Sequence, residues 1–310
     1  MTSGCALPRP QVSVIVPHYD DLANLDRCLA LLADQSLPAD AYEVIVADNG
    51  SPCGAARVAE IIAGRARLVS APEKGAGPAR NAGVSFAAAD IFAFIDSDCR
   101  PGRDWLAQGL HALERDDLAG GAVEVEIAGP EPTPSEAFEL VFAFRNDVYV
   151  LRKGFSVTAN LFVPRDVFER VGPFRNGLSE DLEWCHRAGA HGFSLGYAED
   201  AVIAHPARRD WAELRRKWSR LSQESFALAR RRSFGAVLWL GRSYLVLASA
   251  LPDLLTVARA RQLRGLRSRA GAAIMLLRVR AFRFVEAHRL CLRHALRPRA
   301  RLPLHPSHSG

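Results

Sequence analysis

Short apolar runs alternate with helical patterns through the first 130 residues of the chain. Residues 12–16 read VSVIV, and residues 22–32 carry apolar side chains at helical spacing. Strand patterns follow at 43–47, 67–70 and 91–95, and helical patterns follow at 55–63 and 78–88. Continuous Val and Ile runs between helices predict a parallel sheet that is covered on both faces.

Residues 119–206 follow a different pattern, which predicts a mixed sheet that completes the domain. Strand patterns at 121–127, 159–163 and 201–204 surround the Pro-rich loop GPEPTP and a helix that opens near Ser179. After Pro206 the chain becomes helical and rich in Arg. We therefore predict an α/β domain over 11–206, a basic amphipathic helical region over 207–302, and flexible termini at 1–10 and 303–310.

Charge is distributed unevenly between these two regions. Residues 1–205 hold 17 Lys or Arg against 29 Asp or Glu, whereas residues 206–310 hold 23 against five. A basic tail of this kind favours an anionic partner, either membrane lipid or nucleic acid. Arg beside apolar residues at helical spacing is typical of helices in a membrane interface, so we favour anionic lipid. The alternative is a helical subdomain packed on the acidic body.

Cysteine usage and the apolar segments predict a cytoplasmic protein. The six cysteines are scattered without a CxxC pair, which favours reduced thiols. The N-terminus lacks the basic start and the apolar core of a signal peptide. The most apolar segment, 234–251, contains Arg242 and precedes Pro252, so we expect no simple membrane span there.

Three strand patterns end in the polar loops HYDD, DNGS and DSDC. Ligands bind at the carboxyl ends of strands in open α/β sheets, so these loops are expected to converge. Asp96 and Asp98 in the third loop can face one cation, and oxygen ligands suit Mg²⁺ or Mn²⁺. His205, at the end of the last strand pattern, can add a nitrogen ligand. A solvated turn and a structural histidine are the alternatives.

The first two loops predict contacts to a nucleotide. Asp48 in DNGS can hydrogen-bond a base or a sugar hydroxyl, although these residue types also form ordinary turns. Residues 17–21, PHYDD, can add contacts to the same nucleotide. Asp21 is equally suited to be a helix N-cap.

Residues 74–83, KGAGPARNAG, place glycines before a helix that has Pro just inside it. Glycine lets backbone N–H groups approach an anion, and a helix N-terminus favours negative charge. The segment is not a P-loop, because no GK[ST] ends it. The alternative is a glycine-rich turn with a proline start.

Glu180 and Asp181 begin a second helical stretch of interest, SEDLEWCHRAG. One of these carboxylates can take a proton from an acceptor hydroxyl as a general base. Acidic residues in a first helical turn also simply complement the helix dipole. Trp184 lies one turn further on and can stack on an acceptor ring, with a place in the core as the alternative.

Taken in order, the segments VSVIVPHYDD, EVIVADNGS, KGAGPARNAG, FAFIDSDC, LSEDLEWCHRAGAHG and AVIAH resemble glycosyltransferase family 2, the nucleotide-sugar transferases of the GT-A fold. The resemblance covers residues 11–206. It implies a Rossmann-like GT-A domain, followed here by an Arg-rich, all-helical extension. It also implies a nucleotide-sugar donor, which we expect to be a UDP-sugar, and Mg²⁺ or Mn²⁺.

The same resemblance implies roles for individual residues. The donor-binding residues are Pro17, Tyr19, Asp21, Asp48, Lys74, Arg80, Asn81 and Asp96. Asp98 holds the metal, with Asp96 and His205 beside it. Asp181 is the catalytic base, with Glu180 and Trp184 on the acceptor side. The family commonly has Asn or Glu soon after its first-strand Tyr and DDGS in the second loop, whereas this chain has Asp20-Asp21 and DNGS.

We therefore predict an inverting, metal-dependent glycosyltransferase of cell-envelope polysaccharide or glycolipid synthesis. One base without a second nucleophilic carboxylate is consistent with inversion. The acceptor is a sugar or a lipid-linked molecule, and the enzyme contacts anionic lipid at the inner face of the cell membrane. The alternatives are a nucleotidyltransferase, whose glycine-rich, lysine-bearing signature is replaced here by PHYDD, and a nucleic-acid-binding protein that uses the basic tail.

Overall fold

The computed structural model describes residues 9–176, 179–230 and 233–296. The predicted flexible termini, 1–10 and 303–310, lie outside these ranges apart from Arg9 and Pro10. The last residues of the predicted helical region, 297–302, also lie outside them.

Strands and helices alternate first and helices follow. The strands are Val12–His18 (β1), Tyr42–Asp48 (β2), Arg67–Ser70 (β3), Ile91–Phe94 (β4), Arg100–Pro101 (β5), Leu118–Glu126 (β6), Leu161–Pro164 (β7) and Leu195–Pro206 (β8). The helices are Leu22–Leu32 (α1), Ala55–Ile62 (α2), Ala76–Phe86 (α3), Trp105–Ala112 (α4), Pro134–Phe142 (α5), Asn146–Lys153 (α6), Arg165–Val171 (α7), Glu180–Ala190 (α8), Trp211–Ala229 (α9), Gly235–Ala248 (α10), Ala250–Arg259 (α11) and Gly265–Ala295 (α12).

The strands form one sheet in the order β3-β2-β1-β4-β7-β6-β8-β5. β1 pairs in parallel with β2 and β4, and β2 pairs in parallel with β3. β7 is antiparallel to both β4 and β6, and β5 is antiparallel to β8. The predicted parallel half and the predicted mixed half are thus both present. The carboxyl ends of β1, β2 and β4 lie at one edge, where parallel strands bring their following loops together.

The sheet is buried on both faces because successive side chains of a strand point to opposite sides. Val14 and Val16 of β1 pack with Leu25 of α1 on one side. Ile15 lies between them in sequence and packs with Trp184 of α8 on the other. This explains why the central strands read as continuous apolar runs rather than alternating ones.

The C-terminal helices pack on the sheet domain through α5. Leu214 of α9, Val257 of α11 and Leu276 of α12 form a core with Phe138 of α5. Glu139 of α5 is fully buried and accepts charged hydrogen bonds from Arg208 at 3.0 Å and Lys217 of α9 at 2.7 Å. An apolar core and a buried ion-pair cluster therefore join the two regions.

The apolar segment continues as helix past Pro252. α11 runs from Ala250 through Pro252 to Arg259, and proline is tolerated there because the first turn of a helix has no intrahelical partner for its N–H. Within the described part of the chain, the stretch Gly235–Arg259 is long and apolar enough to cross a membrane by length and composition. Only 17% of its most apolar 18-residue segment is buried against the rest of the protein.

Candidate active site

A cleft of about 360 Å³ opens at the edge where β1, β2 and β4 end, beside the start of α3. All three polar loops contribute to its lining, as their shared position at the carboxyl ends of the strands predicts. The predicted site residues that line it are Pro17, Tyr19, Asp21, Asp96 and Asp98. The remaining predicted residues lie behind this lining or on its α8 and β8 side.

Asp48 closes a buried hydrogen-bond network at the floor of the cleft. Its carboxylate accepts a hydrogen bond from Ser51 Oγ at 2.5 Å and lies 3.1 Å from Nδ1 of His18. Burial disfavours its charged form, but the bonds from Ser51 and His18 outweigh this and lower the pKa of Asp48. Asp48 therefore holds the first two loops in register, and its predicted contact with a nucleoside stays a prediction.

Lys74 and Asn49 shape the side of the cleft near Tyr19. The Lys74 ammonium donates to the carbonyl oxygen of Asn49 at 2.6 Å and lies 4.5 Å from the centre of the Tyr19 ring. The Asn49 side chain accepts from the backbone N–H of Gly75 at 2.9 Å. These contacts fix the glycine turn before α3 against the second loop and leave Tyr19 exposed at the rim.

Arg80 connects Asp96, in the third polar loop, to Glu180, at the start of α8. It is buried within α3 and donates to Asp96 Oδ1 at 2.6 Å and to Glu180 Oε1 at 3.1 Å. Burial works against the charge of Arg80, but Asp96 and Glu180 outweigh it and raise its pKa. The Arg80 guanidinium thus bonds two carboxylates, and its predicted role in donor binding stays a prediction.

Asp98 and His205 lie together on the far side of the cleft. Nε2 of His205 is 3.5 Å from Oδ2 of Asp98, and its Nδ1 lies 2.8 Å from the carbonyl oxygen of Pro206. That carbonyl is an acceptor, so Nδ1 carries the proton and Nε2 is free to bind a cation. Burial raises the pKa of Asp98, with His205 opposing and Asp96 adding to the shift.

The donor set at this point fits a divalent cation. Asp98, Cys99 and His205 bring their ligand atoms within 4.8 Å of one another. Asp98 and His205, which were predicted as ligands, are both in this group, and burial raises the pKa of the Cys99 thiol well above its ordinary value. Carboxylate oxygen and imidazole nitrogen suit Mn²⁺, and Asp98 lies among negative neighbours that such a cation would neutralise.

Asp181 is the carboxylate at the start of α8 with a perturbed pKa. Thr158 donates a hydrogen bond to its Oδ1 at 2.7 Å. Burial raises the pKa of Asp181 to about 6, with Arg80 opposing the shift and Glu180 adding to it. A carboxylate of this kind is suited to accept a proton near neutral pH.

Three predicted residues have structural partners instead of open faces. Trp184 is 0% exposed and its indole donates to the carbonyl oxygen of Gly172, so stacking on an acceptor is wrong for this structure. Asn81 exchanges two hydrogen bonds with the backbone of Phe174, both at 2.9 Å. Asp21 caps α1 through Asn24, as expected of an N-cap, while also lining the cleft.

Sequence reasoning gave no individual role to His18, Asn49 or Glu224, although His18 lies within the predicted contact segment 17–21. His18 and Asn49 sit inside PHYDD and DNGS, but their hydrogen bonds join residues 30 and 22 positions apart. Glu224 lies on α9, and burial raises its pKa to about 7, with Glu180 and Asp181 adding to the shift and Arg220 opposing it. No motif marks Glu224, because only the packing of α9 brings it near Asp181.

The cleft lies at the carboxyl ends of the parallel strands, where open α/β sheets bind nucleotides, and the carboxylate–imidazole pair beside it can hold a cation that stabilises negative charge. The profile of the family described as Glycosyl transferase family 2 matches residues 13–172. The chain belongs to this family, and it is a glycosyltransferase with the GT-A fold, as predicted.

Three relatives support the assignment. Glycosyltransferase AglE of Haloferax volcanii is 34% identical over 245 residues, which cover 74% of this chain and 80% of AglE. Validoxylamine A glucosyltransferase of Streptomyces hygroscopicus subsp. jinggangensis is 27% identical over 62% of this chain and 54% of its own length. The mannosyltransferase PcManGT of Pyrobaculum calidifontis, solved with GDP-Man and Mn²⁺, has a TM-score of 0.58 and 26% identity over 92% of this chain and 88% of that one.

Proposed function

We propose that this glycosyltransferase is inverting and metal-dependent, and that it moves a sugar from a nucleoside diphosphate to an acceptor hydroxyl. The observation that carries the proposal is the charge chain across the site. Asp98, which lines the cleft, pairs with His205, and Arg80 bonds both Asp96 and Glu180, the residue next to Asp181. A cation site and a candidate base are therefore held at a fixed separation.

Asp181 is suited to take the acceptor proton. Glu180 is held by Arg80 and Asp96 is held by the same guanidinium, whereas Asp181 accepts one hydrogen bond from Thr158. A single base supports direct attack by the acceptor on the anomeric carbon, opposite the leaving group, which inverts the configuration. Asp98 and His205 would hold Mn²⁺ or Mg²⁺, which when bound stabilises the negative charge of the leaving diphosphate.

The donor is a nucleotide sugar. The mannosyltransferase PcManGT was solved with GDP-Man and Mn²⁺, which supports nucleotide-sugar and metal use in general. A UDP-sugar stays the predicted donor, and GDP-mannose is the second candidate donor. Tyr19 and the Lys74 ammonium at the rim are the side chains we expect to contact the nucleoside.

We also propose that the enzyme acts at the cytoplasmic face of a membrane, on a sugar or lipid-linked acceptor of cell-envelope synthesis. Leu238 and Leu245 of α10 and Leu251 of α11 are among the exposed apolar side chains of the C-terminal helices. These helices belong to the region that carries the excess of Arg. An exposed apolar face beside guanidinium groups supports contact with anionic lipid, and no nucleic-acid partner is proposed.

A donor screen tests the catalytic proposal. The full chain is incubated with Mn²⁺ or Mg²⁺ and a panel of UDP- and GDP-sugars, and released nucleoside diphosphate is measured. We expect one donor to be consumed, EDTA to stop its consumption, and Asp98→Asn to reduce the rate by at least roughly 10²-fold, since several kcal/mol of charge stabilisation are lost. Release that is indifferent to both EDTA and Asp98→Asn would exclude the metal site.

A further inference from the structure

A second cavity, of about 520 Å³, adjoins the candidate cation site on the side away from the glycine turn. Asp98 and His205 form one wall, and the first half of α9 forms another. Five cationic side chains line it against two carboxylates, Asp98 and Glu213: Arg208, Arg209, Arg216, Lys217 and Arg220. The cavity is therefore strongly basic although the sheet domain around it is acidic.

One face of α9 supplies the cations. Arg220 lies four residues after Arg216 and three after Lys217, so it is a helical neighbour of both, and all three line the cavity. Arg215, the neighbour of Arg216, falls on the opposite side and does not line the cavity. α9 lies beyond residues 13–172, the segment that the family profile matches.

The cations differ in how far they are neutralised. Lys217 and Arg208 are held by the buried carboxylate of Glu139, which fixes their positions and leaves one net positive charge. Arg220 has only a 3.9 Å contact with Glu224. Arg216 is exposed and has no ion-pair partner among the described residues. Arg216 and Arg220 can therefore meet an incoming anion without first losing a strong partner.

The same face of α9 leads to the candidate base. Glu224 follows Arg220 by about one helical turn, which is ~6 Å along the axis. Burial raises the pKa of Glu224, with Arg220 opposing, and Glu180 and Asp181 add to the shift, so its carboxyl lies within the electrostatic range of both. A molecule bound through an anion at Arg216 and Arg220 can thus reach the Asp181 side of the site with another of its groups.

We propose that this cavity binds a phosphate group of the acceptor, and that the acceptor is therefore a phosphorylated molecule. The inference rests on the proposed function, because it assigns a substrate class to the same site. The donor cleft has its own anion-binding features in Lys74, the start of α3 and the cation site, on the other side of Asp98. A second anion site is explained if the second substrate is also anionic, since guanidinium groups bind phosphate oxygens well.

Binding of inorganic phosphate to the full chain tests the proposal. Isothermal titration is performed at low salt with Mg²⁺, with and without saturating nucleoside diphosphate, using UDP and GDP in separate runs. We expect phosphate to bind in both conditions. The double variant Arg216→Gln with Arg220→Gln should weaken it by roughly tenfold or more, as expected when charged hydrogen bonds are lost. The control Arg215→Gln should change it by less than about twofold.

Two results would overturn the proposal. If saturating nucleoside diphosphate abolishes phosphate binding, the cavity holds the diphosphate of the donor. If Arg215→Gln weakens binding as much as the double variant does, phosphate is attracted by the general positive charge of α9, and the cavity is not a specific phosphate site. The titration does not depend on turnover, so failure of the donor screen and failure of this test are distinguishable.

Discussion

Asp181 differs from the other carboxylates of the site in how it is partnered. Asp96 and Glu180 bond the buried guanidinium of Arg80, whereas Asp181 is close to these charges and accepts its hydrogen bond from Thr158. A carboxylate whose proton affinity is raised, and which no cation occupies directly, is the better base. On these grounds we propose Asp181 rather than Glu180 as the base.

Asp181→Asn should lower turnover by roughly 10²–10⁴ while donor binding is retained, because the amide keeps the shape but cannot take a proton. The measurement is steady-state kinetics combined with titration of the donor. Glu180→Gln is the matched variant and should impair donor binding or stability, since it breaks the bond to Arg80. If Glu180→Gln is instead the variant with intact binding and no turnover, Glu180 is the base.

The rate should also report the raised pKa of Asp181, which is about 6. A base works only when it is deprotonated, so kcat should fall as the pH drops below about 6 and be level above it. Arg80, Glu180, Asp96, Thr158 and Glu224 face this carboxyl and set the midpoint. The pH profile of kcat checks this expectation, and a profile that is flat between pH 5 and 7 (~two units, a hundredfold range in proton concentration) contradicts it.

The positions of single residues were predictable where a sequence motif places them at the end of a strand or at the start of a helix. Asp98 follows a buried strand and Asp181 begins a helix, and both positions are visible in the sequence. The partners of Asp48 and Asn81 were not predictable, because they come together only in the folded chain. Asp48 contacts Ser51 and His18, and Asn81 bonds the backbone of Phe174. The same holds for Trp184, whose burial depends on the packing of α8 against β7 and α7.

At the scale of elements, strands β1 to β4 and helices α1 to α3 were predictable to within two residues, because their apolar patterns are strong. β5 was missed, since two residues carry no period. β8 was predicted as residues 201–204 but spans Leu195–Pro206. Its exposed Glu199 and Asp200 interrupt the apolar pattern at an irregularity in the pairing with β6.

Helix α4 packs so closely on β7 that Gly109 has no room for a side chain. A Cβ added there would lie 2.0 Å from the ring of Phe162, which is fully buried. Gly109→Ala should therefore destabilise the protein by about 1–3 kcal/mol, although alanine favours helix by about 1 kcal/mol. Gly189→Ala in α8 is the control, because an added Cβ meets nothing within 4 Å, and it should stabilise slightly.

Denaturant unfolding of both glycine variants measures the difference. Equal midpoints for Gly109→Ala and Gly189→Ala would mean that the Phe162 ring moves aside without cost. The predicted order is Gly189→Ala above the parent chain and Gly109→Ala below it.

The buried carboxylate of Glu139 makes α5 and α9 depend on each other. Burial opposes the charge of Glu139, but Lys217 and Arg208 outweigh it and lower the pKa of Glu139. The charged carboxylate therefore stabilises the fold at a pH above the ordinary carboxyl pKa, and this stabilisation is lost on acidification. Glu139→Ala should cost about 3–5 kcal/mol, because it leaves two cations without their acid. Glu169→Ala, which removes a surface contact with Arg165, should cost less than about 1 kcal/mol in the same unfolding experiment.

For the whole molecule, the exposed apolar face of α10 and α11 should decide where the enzyme resides. The full chain should co-sediment with vesicles that contain phosphatidylglycerol and less so at high salt. Leu238→Gln with Leu245→Gln should reduce binding at least tenfold, since burying a leucine is worth about 1.5–3 kcal/mol. Leu151→Gln, on the exposed side of α6, is the matched control and should bind like the parent chain. A parent chain that stays in the supernatant refutes the membrane proposal.

The Glu139 cluster also bears on how this enzyme can have been assembled. Glu139 lies within the family segment, 13–172, whereas Arg208 and Lys217 lie beyond it. A recombination event near Pro206 would join residues N-terminal to that point to a new C-terminal half. It would separate Glu139 from its two cationic partners, Arg208 and Lys217. Such a hybrid would fold well only if position 139 became apolar or if the incoming helix also brought two cations. The two halves of this chain are therefore expected to have been inherited together, and a designed exchange of the C-terminal helices must transfer Glu139, Arg208 and Lys217 as a set.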